Sequence, residues 1–337
     1  MKTVSRLLFL LVLFLSSTRI LLAQEATCHE KLIPAFVTDQ DGILLRRLSS
    51  TDFKLESRGT PMSIVSWKPD ARRHRVVILL DVSNSMKGPP GSGFWNVVMS
   101  FAQHAANIES DNAQFGLLLF SDHVVEVEGL SKGNYTIRNR VEEISKDPTF
   151  AERGAEGGTS IYDALKAAFQ LLENPTSADS LLVITDGGEE GNKTKPKEIK
   201  NLLCGSMVRV FSILVIPEIP LGSGKVIKGG RPEEFMDFVQ QSGGTVFGVE
   251  RAGYGSPTKS LEFRKVMSEQ LVQFYRGMLQ NDVLTLQISS EIPKAEALRL
   301  SLSDSVKRQW KHARVFYPHE IGPCPGSGRP QGNAPAS

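Results

Sequence analysis

The middle of the chain alternates short apolar runs with amphipathic stretches, and this alternation constrains the fold more than any other feature. The apolar runs are typical of strands that are buried on both faces of a parallel sheet. They cover residues 76–80, 115–120, 181–184, 208–216 and 245–249. Amphipathic stretches with helical periodicity cover residues 94–108, 135–144, 160–172, 195–203, 232–241 and 260–279. This order predicts an α/β fold with a doubly wound, mostly parallel open sheet, which binds ligands at the carboxyl ends of its strands.

The two flanks of this region have a different pattern. Before it, in residues 24–73, short strand candidates at 35–37, 43–45, 53–55 and 63–67 are separated by turn signals. After it, in residues 282–321, apolar and polar residues alternate in the way that half-buried antiparallel strands require. The alternating apolar residues are Leu284, Leu286, Ile288, Leu298, Leu300 and Leu302. Because neither flank can bury a core alone, we expect them to pair into one small antiparallel β-domain, with the α/β domain of residues 74–281 inserted between them.

The first 23 residues have the pattern of a cleaved secretory signal. A basic start is followed by an apolar run at 7–15 and by polar residues, with a small residue before Gln24. An uncleaved anchor is the alternative, which Arg19 disfavours by interrupting the apolar stretch. We therefore expect an exported protein, either periplasmic or secreted to the cell surface, with a disordered Gly- and Pro-rich tail at residues 322–337.

Charge and hydropathy exclude two classes of partner for the mature chain. Removing the signal takes away three basic residues and no acid, which leaves 36 basic against 37 acidic residues. Such a balance provides no basic field for nucleic acid. No later stretch approaches the roughly 20 apolar residues of a spanning helix, so we expect no membrane span.

The three cysteines are Cys28, Cys204 and Cys324. An odd number in an oxidising compartment leaves at least one free thiol, and Cys204, just before an apolar strand, is the candidate for a buried one. Cys28 and Cys324 lie near the two mature termini and would be able to pair if those ends meet. No Cys or His spacing typical of a metal site occurs.

Polar residues in three separate places form a candidate metal site. Asp81, Ser83 and Ser85 follow the apolar run 76–80, Thr159 stands in a Gly-Gly-Thr-Ser turn, and Asp186 follows the run 181–184. Each group alone is also explained as a helix cap or a turn. Together, at the ends of neighbouring strands, they predict an all-oxygen site of the kind that Mg²⁺ prefers, with Mn²⁺ or Ca²⁺ as alternatives.

The segments DVSNSM, GGTSIYDAL and LLVITDGGEE resemble the three motifs of a von Willebrand factor type A domain with a metal-ion-dependent adhesion site. The resemblance covers roughly residues 74–281, and the organisation of the chain is similar to that of exported bacterial "VWFA-related" proteins. It implies that Ser83, Ser85 and Thr159 supply hydroxyl ligands, while Asp81 and Asp186 bind the metal directly or through water. It also raises the question of whether the last helix moves on ligand binding or is packed statically.

The composition of this site suggests a binding function. Hydroxyls are neutral, so two carboxylates balance a divalent ion and an open coordination position attracts an Asp or Glu of another protein. We expect a non-enzymatic, exported adhesion module. Alternatives are an accessory or scaffold subunit with a structural metal, and a hydrolase, for which only Glu189 and Glu190 are candidate bases. These two glutamates either face solvent or crowd the site, and Asp163 is expected to be a supporting hydrogen-bond partner.

Overall fold

The structure is a computed structural model. It describes residues 30–87, 94–108, 112–147, 158–216, 218–220, 226–228, 232–250, 257–288, 292 and 294–323. The expected signal, the pairing of Cys28 with Cys324, and residues 324–337 of the expected tail lie outside the described residues.

The strands and helices are numbered in chain order. The strands are β1 (Glu30–Thr38), β2 (Phe53–Ser57), β3 (Thr60–Pro61), β4 (Ile64–Pro69), β5 (His74–Asp81), β6 (Ala113–Phe120), β7 (Val124–Glu128), β8 (Ser180–Thr185), β9 (Arg209–Ile216), β10 (Glu218–Pro220), β11 (Val226–Lys228), β12 (Val246–Glu250), β13 (Asp282–Gln287), β14 (Glu296–Leu302), β15 (Arg314–Phe316) and β16 (Glu320–Ile321). The helices are α1 (Phe94–Ala106), α2 (Asn134–Lys146), α3 (Ile161–Leu171), α4 (Pro196–Ser206), α5 (Pro232–Gln241), α6 (Pro257–Leu279) and α7 (Asp304–Gln309).

A six-stranded sheet forms the centre of the molecule, with the strand order β12-β9-β8-β5-β6-β7. Its neighbours pair in parallel except for the edge pair β6–β7, which is antiparallel. Strand β5 lies inside the sheet, and its residues 76–80 are fully buried. This arrangement confirms the predicted α/β fold class with a mostly parallel open sheet.

Helices cover both faces of the central sheet. Buried residues of α1, α2 and α6 form one core with one face, and those of α3, α4 and α5 form a second core with the other. In the part of α6 whose side chains are described, the buried large apolar residues are Leu271, Phe274, Tyr275 and Met278. Within the described ranges, no helix is both long and apolar enough to cross a membrane.

Two four-stranded antiparallel sheets accompany the α/β unit, with the orders β15-β1-β13-β4 and β16-β14-β2-β3. Strand β1 pairs with β13 from Glu30–Gln287 to Ala35–Asp282, so segments before and after the α/β unit share a sheet. A third apolar core, which includes Ile33, Leu55, Leu284 and Leu300, lies between residues of both sheets. We refer to these two sheets as the β-sandwich.

One expected strand of the N-terminal flank is wrong. Residues 43–45 contribute only a single bridge, between Leu44 and Thr38. The cause is the preceding turn, in which the Asp39 carboxylate accepts hydrogen bonds from the backbone N–H groups of Asp41 and Ile43 at 2.9 Å. Ile43 is half exposed as a result and does not alternate into the core.

Arg209 lies at the amino-terminal edge of the central sheet, where its guanidinium is 6.0 Å from the centre of the Phe36 ring of β1. Its buried guanidinium donates hydrogen bonds to the Met278 carbonyl at 3.0 Å and to Asn281 Oδ1 at 2.9 Å, at the end of α6. It also lies 5.0 Å from the centre of the Phe211 ring, and burial lowers its pKa to about 9. Phe36 of β1 packs against Gly277 of α6, where a Cβ atom would come within 2.9 Å of its ring. The β-sandwich is therefore packed directly against the edge of the sheet that lies opposite the candidate metal site.

Candidate metal centre

The first group of predicted ligands lies where β5 ends. The Asp81 carboxylate accepts a hydrogen bond from the Ser83 backbone N–H at 2.9 Å, which bends the chain just after the strand. A short 3-10 helix, Asn84–Lys87, follows. The bend brings the hydroxyl oxygens of Ser83 and Ser85 to 3.0 Å from each other. Asp81 and Ser83 are buried and Ser85 is exposed, so the group reaches from the interior to the surface.

Asp186 occupies the equivalent place after β8, the neighbour of β5. Its Oδ1 accepts a hydrogen bond from the Gly188 N–H at 2.9 Å, and Gly187 has a φ of 79° that favours glycine. The last residue of β8, Thr185, donates its hydroxyl proton to Asp81 Oδ2 at 2.6 Å. Thr185 therefore holds the two aspartate-bearing turns together. Sequence reasoning missed this residue, although a hydroxyl at the end of a buried apolar strand was a usable signal.

Thr159 lies directly before α3 and is buried. Its carbonyl accepts a hydrogen bond from the Glu190 N–H at 2.9 Å, while the next residue, Ser160, donates its N–H to the Ser121 carbonyl at 2.7 Å. The Thr159 turn is thus tied to the loop that follows Asp186 and to the end of β6. All five predicted ligand residues lie at the carboxyl edge of the central sheet.

The two buried carboxylates make this edge electronegative. The pKa of Asp81 is raised to about 7, mainly by burial and also by the negative charge of Asp186, against hydrogen bonds from Thr185 and Ser83 that lower it. The largest contributions to this pKa come from burial, from the hydrogen bonds of Thr185 and Ser83 and from Asp186, with no cationic side chain among them. Two adjacent acids among neutral hydroxyls require positive charge, and the hard oxygen donors suit a divalent cation. The donor set therefore fits such an ion.

The loop after Asp186 forms the rim of the centre. Glu189 and Glu190 are both exposed, and burial together with the charge of Glu234 raises the pKa of Glu189. Glu190 also packs against Gly158, where a Cβ atom would lie 2.5 Å from the Glu190 Cβ. Glu190 thus contacts the turn that carries Thr159, although Glu190 itself is exposed to solvent.

The side chains of Asn192 and Asp163 connect this loop to α3 through hydrogen bonds. Asn192 caps α3 by accepting a hydrogen bond from the Tyr162 N–H at 2.8 Å, which sequence reasoning missed. Asp163 accepts hydrogen bonds from the N–H groups of Lys193 and Thr194, at 2.9 and 2.8 Å. The Asp163 carboxylate is therefore engaged with backbone N–H groups.

Comparison with known families identifies this part of the chain. Residues 76–189 match the family model of the von Willebrand factor type A domain. The matched segment is similar in sequence to a type A domain. All five candidate ligand residues fall within the matched segment. No curated protein matches the chain.

The chain is also similar to several solved structures of low sequence identity. BatB from Bacteroides thetaiotaomicron is 18% identical with a TM-score of 0.39, over 59% of this chain and 98% of that one. Proximal thread matrix protein 1 from the mussel byssus, whose structure has a zinc-occupied MIDAS motif, is 16% identical with a TM-score of 0.43, over 64% of this chain and 49% of that one. A von Willebrand factor type A protein from Catenulispora acidiphila is 13% identical with a TM-score of 0.40, over 87% and 73%. Similarity at this level does not extend to function.

Proposed function

We propose that this chain is an exported, non-enzymatic protein-binding module. Its type A domain holds a divalent cation, Mg²⁺ by preference, through Asp81, Ser83, Ser85, Thr159 and Asp186. The metal captures an Asp or Glu side chain that a partner protein presents. The observation that carries the proposal is the bend after β5, which places two serine hydroxyls 3.0 Å apart beside a buried carboxylate.

The charge of the donor set favours an external anionic ligand. Two carboxylates neutralise a divalent ion, and the three hydroxyls add no charge, so a metal with an open position remains an electrophile. The exposure of Ser85 provides the access that a partner requires. Mg²⁺ is preferred because all five side chains offer hard oxygen atoms and because this ion tolerates water in its remaining positions.

A scaffold function with a structural metal is the second candidate. It is favoured by the burial of Asp81 and Asp186, because a cation would stabilise the fold by relieving their repulsion. The two functions predict different behaviour of the same variants.

The test is partner capture by the exported chain, immobilised and exposed to extracts with Mg²⁺ or with chelator. Capture should require Mg²⁺ and be lost in Asp81→Ala and in the milder Ser85→Ala. Asp122→Ala, which removes an exposed acid after β6, is the matched control and should retain capture. Capture that persists in chelator contradicts the proposal. If the variants have a lower melting temperature in Mg²⁺ but still capture the partner, the result favours the scaffold function.

A further inference from the structure

A second surface of the molecule combines positive charge with an exposed aromatic side chain. It lies on the β-sandwich, in α7 and in the turn that leads from α7 into β15. We call it the basic patch, and it comprises Lys307, Arg308, Trp310, Lys311 and Arg314. All five residues are exposed, and 39% of the Trp310 surface is accessible.

The segment that carries the basic patch is held firmly. The Ser303 N–H donates a hydrogen bond to the Asp52 carbonyl at 2.7 Å, and the Trp310 N–H donates to the Val306 carbonyl at 2.7 Å. Val306 is buried in the core of the β-sandwich, against which Ala313 also packs. The backbone and the inward side chains are thus fixed, while the cationic residues are exposed and Trp310 is partly exposed.

The positive charges of the basic patch form no ion pairs with acids among the described residues. Asp304, the acid of the same helix, is paired with Lys54 at 2.8 Å and attracts Lys307 and Arg308 only weakly, without an ion pair. Among the residues that the structure describes, no carboxylate forms a salt bridge with Lys307, Arg308, Lys311 or Arg314. Four unpaired cations within eight residues therefore contrast with the near-neutral balance of the chain as a whole.

We propose that the basic patch docks the β-sandwich onto an anionic phospholipid surface. Lysine and arginine side chains are attracted to acidic headgroups, and tryptophan partitions into the interface, where its ring is buried and its N–H remains hydrated. Nucleic acid is a poorer match, because single strands are bound by successive stacking platforms and the patch offers one exposed aromatic ring.

Docking through the basic patch is compatible with an accessible metal centre. The β-sandwich contacts the amino-terminal edge of the central sheet, through Arg209 and Phe36, whereas the metal centre lies at the carboxyl edge. The length of the central strands therefore separates the β-sandwich from the metal centre. The proposal does not depend on the metal, so its test is independent of the proposed function.

The experiment is co-sedimentation of the full exported chain with vesicles that contain about one quarter phosphatidylglycerol in phosphatidylcholine, at low salt. Binding should be weak on pure phosphatidylcholine, should fall with added salt, and should shift the tryptophan fluorescence, to which Trp310 contributes with Trp67 and Trp95, to shorter wavelength. Each basic residue near an anionic surface contributes about fivefold to partitioning, so Lys307→Glu/Lys311→Glu should weaken binding by about 25-fold or more.

The matched control is Lys195→Glu/Lys197→Glu, which reverses two exposed charges at the start of α4 and should bind as the unchanged chain does. Equal losses in both double variants would overturn the patch assignment, as would unchanged binding after reversal at Lys307 and Lys311. Tighter binding to duplex or single-stranded DNA than to vesicles, at the same salt concentration, would overturn the lipid assignment. All side chains changed are exposed, and equal melting temperatures verify that the variants are folded.

Discussion

Raising the pH should destabilise the metal-free protein through Asp81. The carboxyl group is completely buried, its pKa is raised from 3.8 to about 7, and Asp186 contributes to that shift. In the unfolded chain the group returns to its ordinary pKa. The folded state therefore binds one more proton than the unfolded state between these two values, and stability falls as the pH rises through this window.

The size of the effect follows from the shift. A difference of about three pKa units corresponds to about 4 kcal/mol between the limits of low and high pH, of which about 2.5 kcal/mol falls between about pH 5 and pH 8. Metal should reverse the trend, because it binds the deprotonated carboxylate and gains affinity as the pH rises.

The assay is urea unfolding in chelator at about pH 5 and about pH 8, for the unchanged chain and for Asp81→Asn. Asparagine keeps the shape of the side chain and removes its titration. Histidines whose pKa burial lowers, such as His74 and His104, impose the opposite slope, but they are common to both proteins and cancel in the difference. Identical pH dependence in the two proteins would refute the assignment of this titration to Asp81.

Three further predictions concern the metal centre and the central sheet. Thr185→Val removes the hydroxyl that donates to Asp81 and should weaken Mn²⁺ binding about tenfold or more in calorimetry, while leaving the protein folded. Gly244→Ala should lower the free energy of unfolding by about 3 kcal/mol, because its Cβ would lie 1.8 Å from the Val210 carbonyl oxygen; Gly248→Ala, with open space around it, should be close to neutral in the same denaturation assay. Saturating Mg²⁺ should raise the melting temperature more at about pH 8 than at about pH 5, and a larger rise at the lower pH would contradict the linkage argument.

The central fold could be predicted from the sequence because its strands are buried on both faces. The predicted run 76–80 lies within β5, and the run 181–184 lies within β8, since apolar runs of this kind have few other stable environments. Strand β7 was missed because its Val-Val-Glu-Val-Glu sequence is partly exposed at an edge. Strand β7 forms by pairing with β6, and this pairing cannot be predicted from the sequence of β7 alone.

The β-sandwich was harder to predict from the sequence, because its short strands form only by pairing with segments that are distant along the chain. Strand β15 has three residues and forms because it pairs with the end of β1, which lies far away in sequence. The expected strand at 43–45 failed because the side chain of Asp39 folds the chain into a turn. Local alternation predicts neither outcome, because both are decided by contacts outside the segment.

The placement of the candidate site followed from topology, whereas its supporting contacts did not. Asp81 and Asp186 follow adjacent parallel strands, so their proximity could be predicted. The hydrogen bond from Thr185 to Asp81 and the cap that Asn192 provides for α3 depend on side-chain directions that the motif alone does not specify.

The most direct test of the metal centre is anomalous diffraction from crystals of residues 24–337 grown with Mn²⁺. We expect one strong peak at the carboxyl edge of the central sheet, about 2.2 Å from the hydroxyl oxygens of Ser83 and Ser85, with Thr159 and Asp186 beside it or joined to it by water. The same peak should disappear in Asp81→Ala crystals. A well-ordered site without a peak at saturating Mn²⁺, or a peak held by other residues, would contradict it.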